Sequence, residues 1–301
     1  MKTTVSLVLG SGGARGYSHI GVIEELNRRG YEIICIAGSS MGALVGGIYA
    51  AGRLEEYTDW VTSLRRIDVF KLMDLTLRGE GTIRGERLLA RLLDIAGNPL
   101  IQELPITYTA VATDLTHQKE VWFQKGLMLE AIRASIAVPG FFTPVIEEDR
   151  VLVDGGVLNP IPIIPTVAAH ADLIIAVDLN AEAQRHRIVL PETRYLDRSG
   201  FSDEWQVDSK HESRLKAMKN GLKDVSAHKA NGRIDVLFSS VEVMQESLGK
   251  YKVAGYPPDL LIGIPKDTCR FYEFHRAREM IELGRLIAED SLRQMEQSMR
   301  L

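Results

Sequence analysis

The amino-acid sequence predicts an α/β fold with a mainly parallel central sheet. The chain opens on a strand, a glycine-rich loop and a helix, and then repeats that order with a second strand, a tight turn and a second helix. Strands that alternate with helices pair in parallel, because each crossover helix returns the chain to the same end of the sheet. A length of 301 residues suits one large domain of this kind, so we expect a single domain over residues 1–301.

The first half of the chain supplies most of the predicted elements. Apolar, β-branched runs predict strands at Val5–Leu9 and Ile33–Ala37, followed by helices over Tyr17–Arg29 and Ala43–Ala51. Further helical patterns cover Leu54–Leu75, Gly85–Ile95 and Leu127–Ala137. Between them, Thr107–Thr113 and Lys119–Phe123 are expected to form an antiparallel pair of strands.

The second half alternates short strands with a long polar segment. Strands are expected at Val151–Val153, Leu173–Asp178 and, as the last one, Leu260–Ile264. From Ala181 to Gly232 the chain is polar and lacks clear periodicity, which predicts a mobile excursion, either a lid or a solvated insertion, with helix resuming near Arg214. An amphipathic helix is predicted over Phe274–Met299. Its apolar stripe is expected to pack in the core and consists of Met280, Leu283, Ile287, Leu292 and Met295.

Composition limits the classes of function. A formal net charge of −4 gives no basic face for nucleic acid. The two cysteines, Cys35 and Cys269, are too few for a disulfide framework or a zinc site, so we expect a reduced, cytoplasmic setting and no metal or cofactor. The N-terminal "MKTTVSLVLGSGG" lacks a cleavage site for a signal peptide, and no window offers 18 uninterrupted apolar residues. Membrane contact is therefore expected to be peripheral, and the oligomeric state stays open.

The most informative stretch is "GSSMG", Gly38–Gly42, which matches the G-x-S-x-G pattern of a nucleophile elbow. A strand-like run precedes it and a helix-like run follows, as that motif requires. A serine nucleophile, here Ser40, sits in a strained turn whose close backbones favour glycine two residues to either side. The alternative interpretation is an ordinary strand-to-helix turn in which Ser39 or Ser40 caps the helix.

A serine nucleophile needs a group that accepts its proton. None of the seven histidines follows a strand with turn-like neighbours; His19 lies nearest to the loop, at a position where a helix face also simply packs. Asp154 is the better candidate, because it ends a short apolar strand and precedes two glycines in "VLVDGGVLNPIP". Its alternative interpretation is a plain Asp-Gly turn.

The loop "GSGGARG", Gly10–Gly16, could bind either a nucleotide phosphate or a transient oxyanion. Dinucleotide loops follow G-x-G-x-x-G, but Arg15 stands where the third glycine belongs, and no acidic residue ends the second strand. Arg15 itself invites two interpretations. It could grip a lipid phosphate, or it could tie down the loop by bonding carbonyl groups; we favour the second.

Taken in order, "GSGGARG", "GSSMG" and "DGG" (Asp154–Gly156) resemble the motifs of the patatin-like phospholipase family, and "ASIAVPGFFTPV" (Ala134–Val145) is similar to a further stretch of that family. The later "AGYPPDLLI" and "FHRA" resemble its short bacterial RssA-type members. The resemblance implies a three-layer α/β/α hydrolase fold and a serine acyl hydrolase of the lipid esterase or phospholipase A type. It implies a dyad of Ser40 as nucleophile and Asp154 as base. It also implies an oxyanion hole in the loop formed by Gly12, Gly13, Ala14, Arg15 and Gly16.

The expected substrate is therefore a lipid or simple ester. The main alternative is a regulatory or interaction protein that keeps this fold with little turnover. A fold hosts many functions, so the motifs alone do not fix the lipid class or the acyl-chain preference.

Overall fold

A computed structural model of the chain describes residues 2–72, 85–147, 149–182 and 233–299. Its strands are β1 (Thr4–Leu9), β2 (Glu32–Ser39), β3 (Thr107–Asp114), β4 (Lys119–Phe123), β5 (Val145–Glu147), β6 (Arg150–Asp154), β7 (Leu173–Ala181) and β8 (Leu260–Pro265). Its α-helices are α1 (Ser18–Arg28), α2 (Met41–Ala50), α3 (Leu54–Ser63), α4 (Arg66–Leu72), α5 (Glu86–Ala96), α6 (Met128–Ser135), α7 (Arg233–Gly255) and α8 (Ala277–Ser298).

The strands form one sheet with the order β5-β6-β3-β2-β1-β7-β8, and β4 pairs with β3. The pairs along β3-β2-β1-β7-β8 are all parallel, whereas β4, β5 and β6 enter antiparallel pairs. The predicted α/β class with a mainly parallel sheet is therefore confirmed, as is the antiparallel pairing of β3 with β4.

Helices cover the sheet on both faces, because successive side chains of a strand point to opposite sides. In β1, Leu7 and Leu9 belong to the large core that packs under α1, α2 and α8, whereas Val8 belongs to a second cluster on the other face. That cluster contains Ile161 and Ile163 and packs against Val253 of α7. The result is three layers, α/β/α.

The predicted elements differ from the structure mainly at their ends and breaks. The helical pattern Leu54–Leu75 is two helices, because the backbone turns extended at Leu64 after α3 ends. The C-terminal helix is preceded by a 3-10 turn, Phe274–Arg276, and its predicted apolar stripe is buried in the core as expected. Most of the predicted excursion Ala181–Gly232, with the helix near Arg214, lies outside the described residues.

Candidate active site

Two strands meet end to end beside β3 and so create the site. β4 pairs with residues 110–114 of β3, while β2 pairs with 107–111 and β6 with 112–114. Some residues of β3 pair with both β4 and β2, and others pair with both β4 and β6. β4 therefore lies along one edge of β3, and β2 and β6 both lie along the opposite edge. There β2 ends with Ser39 opposite Val111, and β6, running the other way, ends with Asp154 opposite Ala112. The residues that follow these two strand ends are therefore neighbours, although they lie far apart in sequence.

The turn after β2 has the strained geometry of an elbow. Ser40 has φ 57° and ψ −123°, in the region that favours glycine, and it is nevertheless a buried serine. A Cβ on Gly38 would press on the backbone of Gly42, and a Cβ on Gly42 would press on the Leu9 carbonyl of β1. The turn therefore passes too close to its own backbone and to β1 for any larger residue at either position. α2 begins at Met41, so the positive end of its dipole lies next to Ser40.

Asp154 is a buried carboxylate with one partnered and one unpartnered oxygen. Its Oδ1 accepts the Gly156 N–H at 2.7 Å, and its own N–H donates to the Ala137 carbonyl at 2.9 Å. Burial raises the pKa of Asp154 from 3.8 to about 7, while the nearby Ser40 hydroxyl and the Gly156 N–H lower it in part. Oδ2 accepts no hydrogen bond of full geometry from the described residues. It is therefore a free acceptor close to the Ser40 hydroxyl.

The glycine-rich loop has two backbone N–H groups, those of Gly12 and Gly13, that are available to a ligand. Gly10 and Ser11 donate their N–H groups to the carbonyls of Val177 and Pro160, at 3.0 and 2.9 Å. The next two N–H groups, those of Gly12 and Gly13, have no partner in the described part of the chain. Gly13 adopts φ 57° and lies against Phe271, so a side chain there would be both strained and crowded.

The loop contains fewer available donors than the sequence suggests. The Ala14 N–H donates to the Phe271 carbonyl at 2.8 Å, which corrects the expectation that Ala14 contributes to an oxyanion hole. Arg15 and Gly16 lie inside the 3-10 turn Gly13–Tyr17, where later N–H groups bond to carbonyls three residues back. Gly16 has a different use, because a Cβ there would collide with Met41, the residue that follows Ser40. It lets the loop approach the elbow.

Arg15 is buried and holds the loop in place. Its Nε donates to the Leu179 carbonyl (2.9 Å), and Nη1 donates to the carbonyls of Lys266 (3.2 Å) and Cys269 (3.0 Å). Nη2 donates to Asn180 Oδ1 (3.1 Å) and to Glu242 (2.8 Å). These contacts use all five N–H groups of the guanidinium, so none is left for a phosphate.

None of the described histidines is placed to serve Ser40. His19 is buried, its Nε2–H donates to the Gly10 carbonyl at 2.8 Å, and burial lowers its pKa to about 4, so it is a neutral structural group. His117 bonds to Asp114 at 2.8 Å, and the His275 ring accepts from Arg66 at 3.0 Å. Of the other histidines, His170 lies in a left-handed turn, and His186, His211 and His228 lie outside the described residues.

Sequence reasoning missed Ser135, which supports the elbow from α6. Its buried Oγ accepts the Ser40 N–H at 3.0 Å and donates to the Val111 carbonyl at 2.6 Å. It thereby connects the elbow to β3 at the point where β2 and β6 meet. The only sequence signal was its place in "ASIAVPGFFTPV", because a single serine near a helix end carries no pattern of its own.

An apolar cavity that opens to solvent adjoins Ser40 and Gly13. Aromatic and aliphatic side chains line it, among them Tyr17, Leu44, Trp60, Phe141, Phe142 and Phe274. Beyond Ser40, polar side-chain chemistry is nearly absent from its lining, so the cavity suits a hydrocarbon chain rather than a polar ligand.

Helix α7 lies over the two loops of the site. Gln245 is buried and donates to Ser11 Oγ at 3.3 Å, in the glycine-rich loop. The same amide lies against Gly156, where a Cβ would approach it within about 2.5 Å. Gln245 thus touches both the loop that carries Gly12 and the turn that holds Asp154.

No described helix combines the length and apolar character that crossing a membrane demands.

Comparisons with known proteins relate this chain to a family and to individual relatives. The family model "Patatin-like phospholipase" matches residues 7–167, a range that includes the glycine loop, the elbow and Asp154. An uncharacterized NTE family protein of Mycobacterium tuberculosis is 41% identical, over 97% of this chain and 92% of its own length. Lysophospholipase NTE1 of the yeast Scheffersomyces stipitis is 33% identical over 69% of this chain, which spans 14% of that protein. VipD from Legionella pneumophila aligns over 99% of this chain and 67% of its own with a TM-score of 0.44 and 13% identity.

Proposed function

The chain belongs to the patatin-like phospholipase family, and we propose that it is a serine acyl hydrolase acting on a lipid ester through a Ser40–Asp154 dyad. The observation that carries the proposal is the buried Asp154 carboxylate, with its free Oδ2 beside the strained Ser40 at the head of an apolar cavity. The lysophospholipase relatives favour a lipid acyl ester as the substrate class. The narrower RssA-type assignment stays a prediction.

Acylation begins when the acyl chain fills the cavity and places its ester carbonyl next to Ser40. Ser40 Oγ attacks the carbonyl carbon while Asp154 Oδ2 takes the hydroxyl proton. The carbonyl oxygen becomes an oxyanion that the Gly12 and Gly13 N–H groups bind. The tetrahedral intermediate then collapses, the bond to the leaving oxygen breaks, and Asp154 returns its proton to the departing alcohol or lysolipid.

Deacylation repeats these steps with water. Asp154 accepts a proton from the water as its oxygen attacks the acyl carbon, and the oxyanion forms again in the same place. When the bond to Ser40 Oγ breaks, Asp154 returns the proton to the serine, and the fatty acid leaves. One carboxylate thus serves both halves of the cycle, as base and then as acid.

The environment of Asp154 explains how a carboxylate can replace a histidine. An ordinary aspartate has a pKa near 3.9 and is a weak base at neutral pH. Burial brings the pKa of Asp154 to about 7, within the range of a histidine. At neutral pH a substantial fraction of this carboxyl group is therefore ionised and can accept a proton, and the protonated form is stable enough to return that proton later. The oxyanion donors supply a further share of the rate, about 3 to 4 kcal/mol for each good donor.

We also propose that α4 makes the peripheral membrane contact. Val69 and Leu72 line the cavity from this helix, while Ile67 and Phe70 point outward with exposures of 51% and 60%. Lys71 is exposed on the same helix. Apolar side chains flanked by cations are typical of segments that lie in a lipid interface. The double variant I67S/F70S is expected to lose binding to vesicles containing phosphatidylglycerol while it keeps its turnover of a water-soluble ester.

A lipid-class panel tests the proposed activity. Wild type and S40A are compared on lysophosphatidylcholine, diacyl phosphatidylcholine, a triglyceride and a short p-nitrophenyl ester, with release of fatty acid or nitrophenol as the readout. The proposal expects turnover of at least one acyl ester by wild type and none above background by folded S40A. The absence of turnover on every substrate would favour the regulatory alternative, and equal turnover by S40A would remove Ser40 from the mechanism.

A further inference from the structure

Helix α7 exposes several apolar side chains, although its inner face also packs on the sheet through Val253. Its inner face contains the buried Gln245 and Gly249, whereas five of its apolar side chains are exposed. These are Val236 (53% exposed), Leu237 (44%), Val243 (64%), Met244 (55%) and Tyr251 (74%). A helix that only covers a sheet turns its apolar side chains inward, so the outward face of α7 needs a separate explanation.

Polar contacts on the inner face hold the helix in this orientation. Glu242 pairs with Arg15 at 2.8 Å, and Lys252 pairs with Glu120 of β4 at 2.6 Å. Gln245 adds its hydrogen bond to Ser11 Oγ. Because these contacts lie along much of the helix, rotation about its axis would break all of them. The outward direction of Val243, Met244 and Tyr251 is therefore fixed, and Leu237, which is partly exposed, also lies against Gly140.

The exposed face carries a heptad pattern of large and small residues. Leu237, Met244 and Tyr251 are spaced seven residues apart, and each is followed three residues later by a small one. The small residues are Ser240, Ser247 and Ala254, and all six positions are exposed. Spacings of three and four residues mark the seam along which two helices pack. We call these six residues the α7 seam.

The α7 seam is complementary to itself in the antiparallel direction. A two-fold axis between Gln245 and Glu246 brings Leu237 opposite Ala254 of the other copy. The same axis brings Ser240 opposite Tyr251 and Met244 opposite Ser247. Every large side chain then faces a small one, which is the pairing that lets two helices approach closely. The Ser240 hydroxyl is already satisfied within its own helix, donating to the Val236 carbonyl at 2.8 Å, so its burial leaves no donor unpaired.

We propose that the α7 seam is the interface of a homodimer in which two copies of α7 pack antiparallel. A second copy fits better than a lipid surface, because the seam itself contains no charged residue and the lysine beside it is not free. Lys250 pairs with Glu182 and Glu246, both at 2.9 Å. An anionic membrane attracts unpaired cations, whereas an isologous contact needs only the same patch on both subunits.

The size of the seam sets the expected affinity. Its six residues, with Val236 and Val243 beside them, fall well short of the roughly 20 to 30 residues a side of a standard stable interface. The dimer is therefore expected to be weak and dependent on concentration, with a Kd in the micromolar range. Formation of the dimer does not depend on the reaction proposed above, since none of the seam residues belongs to the dyad, the loop or the cavity.

Sedimentation velocity of the full chain over about 1 to 200 µM tests the proposal. Wild type is expected to shift from monomer to dimer, and M244K to weaken dimerisation at least about tenfold, because the substitution buries two charges near the axis. I146K is the matched control: it places the same charge on another strongly exposed apolar residue, 74% exposed on β5, and should leave dimerisation unchanged. Circular dichroism melts check that both variants fold.

Cross-linking tests the direction of the pairing. The native cysteines Cys35 and Cys269 are buried, so introduced cysteines dominate the reaction. A mixture of L237C and A254C chains is expected to form an intermolecular disulfide, whereas each variant alone is not, because identical positions lie about 25 Å apart along the axis of an antiparallel pair. The proposal would be overturned if wild type stayed monomeric at every concentration or if M244K left the dimer intact. It would also be overturned if M244K lost vesicle binding while wild type stayed monomeric.

Discussion

Replacing Asp154 with asparagine tests whether burial sets the chemistry of the dyad. The amide side chain of D154N keeps the size of the carboxylate and an oxygen that can accept the Gly156 N–H, but it cannot take a proton from Ser40. Turnover is therefore expected to fall to the level of S40A. The same substitution also changes how stability depends on pH, and that effect can be measured without any substrate.

The sign of the stability effect follows from the raised pKa. The carboxyl group has a pKa of about 7 in the folded protein and an ordinary value of 3.8, so the folded state holds a proton that the unfolded state has lost between these two pH values. The stability that this group contributes is fully present below pH 3.8 and is lost as the pH rises to about 7. D154N removes the loss, because its side chain never ionises.

The magnitude follows from the same shift. Between pH 5 and the folded pKa of about 7 the protein loses about 1.4 kcal/mol of stability for each pH unit. The free energy of unfolding of D154N minus that of wild type should therefore be about 3 kcal/mol larger at pH 8 than at pH 5.

Urea unfolding of both proteins at pH 5, 6, 7 and 8, followed by circular dichroism, measures this difference. S40A is the matched control, since it keeps the carboxyl group and removes only the Ser40 hydroxyl that lowers its pKa in part, so its stability should fall with rising pH at least as much as that of wild type. If the difference between D154N and wild type stays constant within about 1 kcal/mol over this range, Asp154 is not held in its neutral form by burial, and the argument for its role as base fails.

Three further predictions concern the elements that position the dyad. G13A should remain folded but lose about 10²-fold to 10³-fold in kcat on a soluble ester, because its Cβ is strained at φ 57° and displaces an oxyanion donor; unchanged kcat would exclude Gly13 from the oxyanion hole. R15K should unfold at a lower urea concentration, with its free energy of unfolding reduced by about 3 kcal/mol or more, because an ammonium replaces few of the five hydrogen bonds of the guanidinium. Equal unfolding midpoints for R15K and wild type would contradict the assigned contacts. S135A should lower kcat about tenfold with little change in KM, because the Ser40 N–H loses its acceptor; a change in KM alone would place Ser135 in substrate binding instead.

Local patterns predicted the elements on which the site is built. β1, the glycine loop and α1 follow directly from an apolar run, a cluster of glycines and a helical repeat, and the elbow follows from G-x-S-x-G between a strand and a helix. Asp154 was found as the last residue of a strand. In each case the signal lies within a few consecutive residues, which is the range over which backbone preferences act.

The remaining features depend on contacts between distant segments. The end-to-end meeting of β2 and β6 is a matter of register along β3, and no local pattern encodes it. β5 has only three residues, too few for a periodicity. The sequence predicted only that helix resumes near Arg214, and it did not predict which side chains of α7 are exposed, because several of its apolar side chains face outward while Gln245 and Gly249 face inward. The Ala14 N–H is likewise occupied by the Phe271 carbonyl, which comes from the far end of the chain.

Covalent labelling tests the central claim most directly. Wild type, S40A and D154N are treated with a fluorophosphonate at pH 8, and the modified residue is identified by peptide mass spectrometry. The dyad predicts one adduct on Ser40 in wild type, none in S40A, and labelling of D154N slowed by orders of magnitude while its fold is retained. Absence of an adduct in folded wild type, or an equal rate for D154N, would contradict the assignment of Ser40 as a nucleophile activated by Asp154.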